Sequence, residues 1–296
     1  MSWVVKAVNR THTDFSSETN KEWKEPFFFV QGADTQFGMF ADFTEVTTEP
    51  KWAKEIELAE LAVKKVNEMR PKPKFYVICG DLCHDYYDKE PDVRAAQDAD
   101  FKKVYSKLDP TIPLVCVCGN HDVGDNPTYE SVRKYTSNYG DDYFSFHAGG
   151  VFFICINSQF YHGATNTPDL VQAQDEWLDR QLAVAKQSEI PSIMFQHVPW
   201  FASDPDKTER NYFEIDHDIR KRMLDKILAA GVKYVFCGHL HYNAGGKYKQ
   251  LECVVTSATG YQLGSDTHGL RVVKVYRDKV EHKYYPLADL PAEVSL

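Results

Sequence analysis

Several short apolar runs in this chain end in side chains that an apolar core does not tolerate without a partner. Phe75-Tyr76-Val77-Ile78-Cys79 leads into Gly80-Asp81-Leu82-Cys83-His84, and Leu114-Val115-Cys116-Val117-Cys118 leads into Gly119-Asn120-His121-Asp122. Ile193-Met194-Phe195 leads into Gln196-His197-Val198-Pro199, and Tyr234-Val235-Phe236-Cys237 into Gly238-His239-Leu240-His241. A further run, Phe27-Phe28-Phe29-Val30, reaches Asp34-Thr35-Gln36. In layered α/β folds the loops beyond the carboxyl ends of neighbouring strands converge on one crevice, so Asp34, Asp81, Asn120, His197, His239 and His241 can meet. Their donor atoms suit a pair of divalent cations, which need one anionic oxygen to bridge them and imidazoles to complete each shell. Asp81 is the natural bridge. A glycine before Asp81, Asn120 and His239 lets the backbone approach closely. With Leu240 turned away, His239 and His241 share one side of an extended segment.

Such an ion pair acidifies a bridging water to a hydroxide nucleophile at neutral pH and holds two phosphoryl oxygens for in-line attack. His121 then has a separate task, protonating an alkoxide leaving group, with Asp122 holding its ring. His84 lies three residues after Asp81, where it either contacts substrate or caps the next segment. His147, His162 and His217 fall in no motif and are expected to be structural or exposed, and His268, beside a glycine, suits a turn or a supporting role. Cys83, next to Leu82, is expected as a packed thiol. Tyr212-Phe213 and Phe160-Tyr161 are candidates for a peptide groove, with buried packing the default expectation.

The elements that must position these residues follow from periodicity. Runs rich in Val, Ile and Phe at 27–31, 74–79, 113–118, 151–157, 192–197, 232–237, 252–257 and 270–276 predict buried strands. Trp52, Ile56, Ala59, Val63 and Val66 recur at three and four residues within 49–70 and predict a helix, as does similar spacing at 92–108, 169–188 and 216–230. Asn126-Pro127 reads as the start of another helix. Strands alternating with helices, then strands joined by short turns, favour two sheets packed face to face with helices outside. No linker or repeat divides 25–296, which predicts one domain, and the polar residues 1–24 read as an arm on its surface.

Forty-three acidic against 34 basic residues, a formal charge of -9, remove the diffuse attraction behind most binding to nucleic acids and anionic membranes. No apolar run approaches membrane-spanning length and no signal peptide is evident, so neither a nucleic acid nor a membrane is an expected partner. Seven cysteines, an odd number lying mostly in apolar runs, suit a reducing cytoplasm better than a disulfide framework.

Taken in order, Asp34-x-Gln36, Gly80-Asp81, Gly119-Asn120-His121-Asp122, His197 and Gly238-His239-x-His241 resemble the five motif blocks of calcineurin-like metallophosphoesterases and span most of the chain. Further stretches, among them Gly140-Asp141-Asp142-Tyr143-Phe144 and His241-Tyr242-Asn243-Ala244-Gly245-Gly246, resemble a cytoplasmic branch of that family acting on phosphoserine and phosphothreonine. The resemblance implies a four-layer αββα sandwich, a phosphoprotein or phosphopeptide substrate, and two cations. One cation would be held by Asp34, Asp81 and His241, and the other by Asp81, Asn120, His197 and His239. The sequence departs at Gln36, where the wider family usually has a histidine ligand; an amide oxygen there makes a weak ligand or a supporting contact and favours Mn²⁺ or Mg²⁺ over Fe²⁺ or Zn²⁺. The same metal core would serve a phosphodiesterase or nucleotide hydrolase, and a non-catalytic interaction module is the remaining alternative.

Overall fold

The three consecutive phenylalanines explain how the layers form. Side chains alternate across a strand, so in a strand buried on both faces Phe28 and Val30 enter a core shared with helices, while Phe27 and Phe29 enter a second core. In that second core Phe29 stacks on Phe75 at 4.7 Å and meets Phe153, Phe195 and Phe236 edge-on at 5.8, 5.5 and 5.8 Å. Phe153, Phe195 and Phe236 belong to a different sheet, so this aromatic cluster joins two sheets face to face.

The computed structural model describes residues 3–296. In chain order the elements are β1 (Ala7–Val8), β2 (Thr11–His12), β3 (Phe27–Gly32), α1 (Phe40–Phe43), α2 (Ala53–Glu68), β4 (Tyr76–Cys79), α3 (Pro91–Tyr105), β5 (Leu114–Val117), α4 (Asn120–Val123) and α5 (Tyr129–Tyr139). They continue with β6 (Phe144–Ala148), β7 (Val151–Cys155), α6 (Gln159–His162), α7 (Pro168–Ala185), β8 (Ser192–Phe195), α8 (His217–Ala229), β9 (Val232–Cys237), β10 (Ala244–Tyr248), β11 (Leu251–Val255), β12 (Gly269–Val275) and β13 (Val280–Pro286). One sheet has the order β13-β12-β3-β4-β5 and the other β1-β2-β6-β7-β8-β9-β11-β10. Strands β3, β4 and β5 are parallel neighbours, as are β7, β8 and β9, so their carboxyl ends point to shared loop regions. Leu58, Ala62 and Val66 of α2 and Trp177, Leu178 and Leu182 of α7 lie in the helix-facing core, giving the expected α/β sandwich.

Three parts of the sequence reading differ from the structure. Residues 7–15 are not simply laid on the surface: β2 pairs with β6 at Thr11 and Ser145, Arg10 donates to Asp142 at 2.8 Å, and Phe15 stacks on Phe146 at 4.5 Å. Two-residue strands are too short to show periodicity. The helix expected to start at Asn126-Pro127 starts after Thr128, whose hydroxyl accepts from the Ser131 amide at 3.1 Å, while Asn126 donates to Thr165 at 2.8 Å. The sequence scan also missed β6, β10 and β13, whose polar or glycine-rich residues interrupt the apolar pattern.

Phe29 is fully buried at the centre of the aromatic cluster, so Phe29→Ala should lower the free energy of unfolding by about 3–5 kcal/mol. Urea denaturation followed by tryptophan fluorescence measures the loss; a loss below about 1 kcal/mol would mean that this cluster does not hold the sheets together.

Candidate metal centre

The two sheets deliver their loops to one place through backbone hydrogen bonds. The Asp34 amide donates to the Gly80 carbonyl at 3.1 Å, the Gln36 amide to Asp81 at 2.9 Å, and the Gly238 amide to His197 at 3.1 Å. Gln31 ties one sheet to the other, donating to the Cys237 carbonyl at 3.0 Å and accepting from Thr256 at 2.6 Å. Among the described residues, five of the eight non-glycine residues with positive φ are Asp34, Gln36, Asp81, His239 and His241. Left-handed backbone at such residues costs roughly 1–3 kcal/mol each and persists where surrounding structure dictates it. The segment 239–241 is therefore bent rather than extended, although both imidazoles remain on the site side. Close approach also explains the glycines: a Cβ on Gly80 would overlap the His197 ring, and one on Gly119 the Asp81 carboxylate.

Two groups of buried donors result, Asp81 with His197 and His239, and Asp34 with Asp81 and His241. Within each group the candidate ligand atoms lie within 4.8 Å of one another, and Asp81 belongs to both. His197 Nε2 is 3.3 Å from Asp81 and 3.0 Å from Asn120 Oδ1, and His241 Nε2 is 3.4 Å from Asp34. Each imidazole is fixed through its other nitrogen by a backbone carbonyl. His197 Nδ1 lies 2.8 Å from Cys79 O, His239 Nε2 3.2 Å from Tyr212 O, and His241 Nδ1 2.5 Å from Tyr261 O. A carbonyl accepts only, so it selects the tautomer whose free nitrogen faces the carboxylates. His121 follows the same rule, with Nδ1 2.5 Å from His84 O.

The electrostatics match a site that exchanges protons for cations. Burial raises the Asp81 pKa, but His197 and His121 outweigh it and hold the carboxyl well below the usual range. Burial lowers the His197 pKa, yet Asp81 and Asp34 overcome this and push it up to about 9. His239, buried and beside His197, is pushed well down. Gln36 donates its amide to His84 Nδ1 at 3.2 Å, leaving its own buried Oε1 without a partner. Two carboxylates, imidazoles that can give up a proton to an arriving ion, and an orphaned amide oxygen fit a pair of divalent cations.

The remaining candidates fall differently. Asp122 does not hold the His121 ring, because its carboxylate accepts from the Gly119 amide at 2.8 Å and the buried Arg94 guanidinium at 2.8 Å. Arg94 also donates to the His121 carbonyl at 2.6 Å, so the pair braces the loop that carries His121. His84 is engaged at both nitrogens, by Gln36 and by Asp42 at 2.8 Å, and stacks on His121 at 4.7 Å. A cavity of about 160 Å³ opens beside His121, lined in part by Tyr86, Gly124 and Asp125. Tyr212 and Phe213, expected to pack inside, are exposed, and the Tyr212 hydroxyl reaches Asn120 Nδ2 at 2.8 Å. His162 donates to the Tyr212 carbonyl at 3.0 Å. Arg94 escaped the sequence reading, and Tyr212 and His162, read there as a groove candidate and as a structural or exposed residue, were not tied to the site, because none lies at a strand end. Cys83 is a buried packed thiol, as expected, and all seven cysteines are buried and unpaired.

Residues 30–243 match the family model for calcineurin-like phosphoesterases, and the chain belongs to that family. It is 47% identical to the Homo sapiens serine/threonine-protein phosphatase CPPED1 over 96% of this chain and 91% of the relative. The Danio rerio protein of the same name is 40% identical over 98% and 94% of the two chains. Among solved structures, a dimetal phosphatase from Danio rerio superimposes with a TM-score of 0.61 at 16% identity, covering 90% of this chain and 98% of that one. Purple acid phosphatase PPD1 from yellow lupin gives a TM-score of 0.62 at 13% identity, covering 90% and 52%. The two structural likenesses concern the fold. The chain is a metal-dependent phosphatase, and the fold of its family implies a dinuclear metal site.

An ion taken up at His197 Nε2 must displace the proton held there up to a pH of about 9. The affinity of metal-free protein for Mn²⁺ should therefore rise with pH, by up to about tenfold per unit, and level off near that value. Calorimetry in buffers of different ionisation heat should detect about one proton released at neutral pH; a pH-independent affinity with no proton release would remove His197 from the ion's neighbours.

Proposed function

We propose that the chain is a serine/threonine-protein phosphatase working through two divalent cations, one at Asp34, Asp81 and His241 and the other at Asp81, Asn120, His197 and His239. The observation that carries this reading is the pair of buried donor groups sharing Asp81. The 47% identity to relatives bearing that phosphatase name supports the substrate class. When bound, the cations supply Lewis acidity toward phosphoryl oxygens and acidify a coordinated water. Everything else falls to the chain's own groups. The carbonyls of Cys79, Tyr212 and Tyr261 keep three imidazoles in the tautomer that faces the ions. His121, which lines the open cavity, has Nδ1 occupied by His84 O, so Nε2 is its remaining nitrogen for proton transfer. Burial lowers its pKa against the pull of Asp81, and an arriving phosphoester dianion favours the charged ring. The imidazolium then gives its Nε2 proton to the departing serine or threonine oxygen. His84, held between Gln36 and Asp42, backs the His121 ring in this scheme instead of touching substrate. Seven buried, unpaired thiols support work in a reducing compartment, the cytoplasm.

Metal-reconstituted protein should hydrolyse a phosphoserine peptide faster than a nucleotide or a phosphodiester; faster diester cleavage would replace the proposed substrate class. His121→Ala should slow phosphoserine turnover by ~10²–10⁴ while leaving metal binding intact. The loss should be smaller on p-nitrophenyl phosphate, whose leaving group needs no proton, and equal losses would remove His121 from leaving-group protonation.

The orphaned Gln36 Oε1 supports weak holding of one ion, with Mn²⁺ or Mg²⁺ preferred. Gln36→His should tighten that ion alone and move its preference toward Zn²⁺ or Fe²⁺. Titrating wild type, Gln36→His and Gln36→Ala with each metal checks this, and unchanged affinities in both variants would take Gln36 out of the ion's surroundings.

A further inference from the structure

We infer that Tyr212 is a positioning residue that sets the affinity of one of the two ions by fixing both Asn120 and His239. The inference rests on the dinuclear reading above and adds a residue that no motif contains. Asn120 can present either its oxygen or its nitrogen to the site, because the two ends of an amide have nearly the same shape. Tyr212 decides between them. Its hydroxyl has one hydrogen, which it donates to Asp125 Oδ1 at 3.1 Å, an acceptor that cannot donate when ionised. The hydroxyl lone pair is thereby left to accept from Asn120 Nδ2 at 2.8 Å, and Asn120 Oδ1 is turned toward His197 Nε2, 3.0 Å away. The carbonyl of the same tyrosine lies 3.2 Å from His239 Nε2 and leaves Nδ1 of that ring for an ion. One residue thus orients two of the three ligands assigned to the second ion alone.

The segment carrying Tyr212 is irregular but braced, which a positioning role requires. Buried Arg220 donates to the carbonyls of Asp204, at 3.3 Å, and Lys207, and lies 3.7 Å from Glu214. Glu214 in turn accepts from the Ala202 amide at 2.8 Å and from Asn211 at 2.9 Å. Tyr86 donates to the other oxygen of Asp125 at 3.3 Å, so the acceptor behind Tyr212 is itself held. The Tyr212 ring, 46% exposed, lies 5.0 Å from the His239 ring and contributes little to the core.

Tyr212→Phe removes the hydroxyl and keeps the ring and the carbonyl. Calorimetric titration of metal-free protein with Mn²⁺ should show one site weakened about tenfold and the other unchanged, the lower end of what supporting contacts to a ligand contribute. Asp125→Ala should weaken the same site, Tyr242→Phe should weaken neither, and the thermal unfolding temperature of all three metal-free variants should match wild type. Excess Mn²⁺ should restore the Tyr212→Phe turnover rate, with KM for a phosphoserine peptide unchanged. Equal weakening of both sites, or none, overturns the role of Tyr212 and leaves the dinuclear reading standing. Wild-type protein that binds fewer than two ions overturns that reading, and this inference with it.

Discussion

Two carboxylates, Asp34 and Asp81, are almost wholly removed from water at the place where the sheets meet, and much of the surrounding structure serves to compensate them. An unpaired buried anion is costly enough that it would neutralise itself. Here the smaller sheet brings the acids and the larger sheet brings the imidazoles. The His239 amide donates to Asp34 at 3.0 Å and the His121 amide to Asp81 at 2.9 Å, so backbone from two further loops is recruited to the same task. Packing of the sheets and assembly of the site are therefore one event: neither sheet alone can compensate the charges.

The site's rigidity comes largely from main chain. Four imidazoles are anchored by carbonyls, and five residues occupy left-handed backbone where loops cross. Side chains anchored in this way do not depend on the identity of the residue supplying the carbonyl. The hydroxyl of Tyr212 and the guanidinium of Arg94 are exceptions, because there the side chain itself carries the hydrogen bond.

This division explains what the sequence disclosed. Runs of Val, Ile and Phe announced the inner strands, and the acids and histidines just beyond them announced a convergence, because both signals depend on residue type at a fixed distance. Long-range partners left no such trace. Asp122 lies beside His121 in sequence and yet turns to Arg94, which precedes it by a helix and a strand. The supports of Asn120 and His239 come from Tyr212, on a loop without periodic pattern. Edge strands β10 and β13 were hidden because a strand with one solvated face needs no continuous apolar run.

The small amino-terminal hairpin carries a consequence for biosynthesis. Thr11 emerges from the ribosome 134 residues before Ser145, its partner in β6 (145 − 11). At about 5–20 residues per second it waits roughly 7–27 s for that partner to be made. A longer apolar strand would spend this interval as an unpaired edge, open to pairing with other nascent chains. Strands of two residues flanked by Asn9, Arg10 and Asp14 carry little such risk, and they close the sheet only after β6 exists. The shortness that concealed this hairpin from periodicity also limits the unpaired edge it offers while it waits.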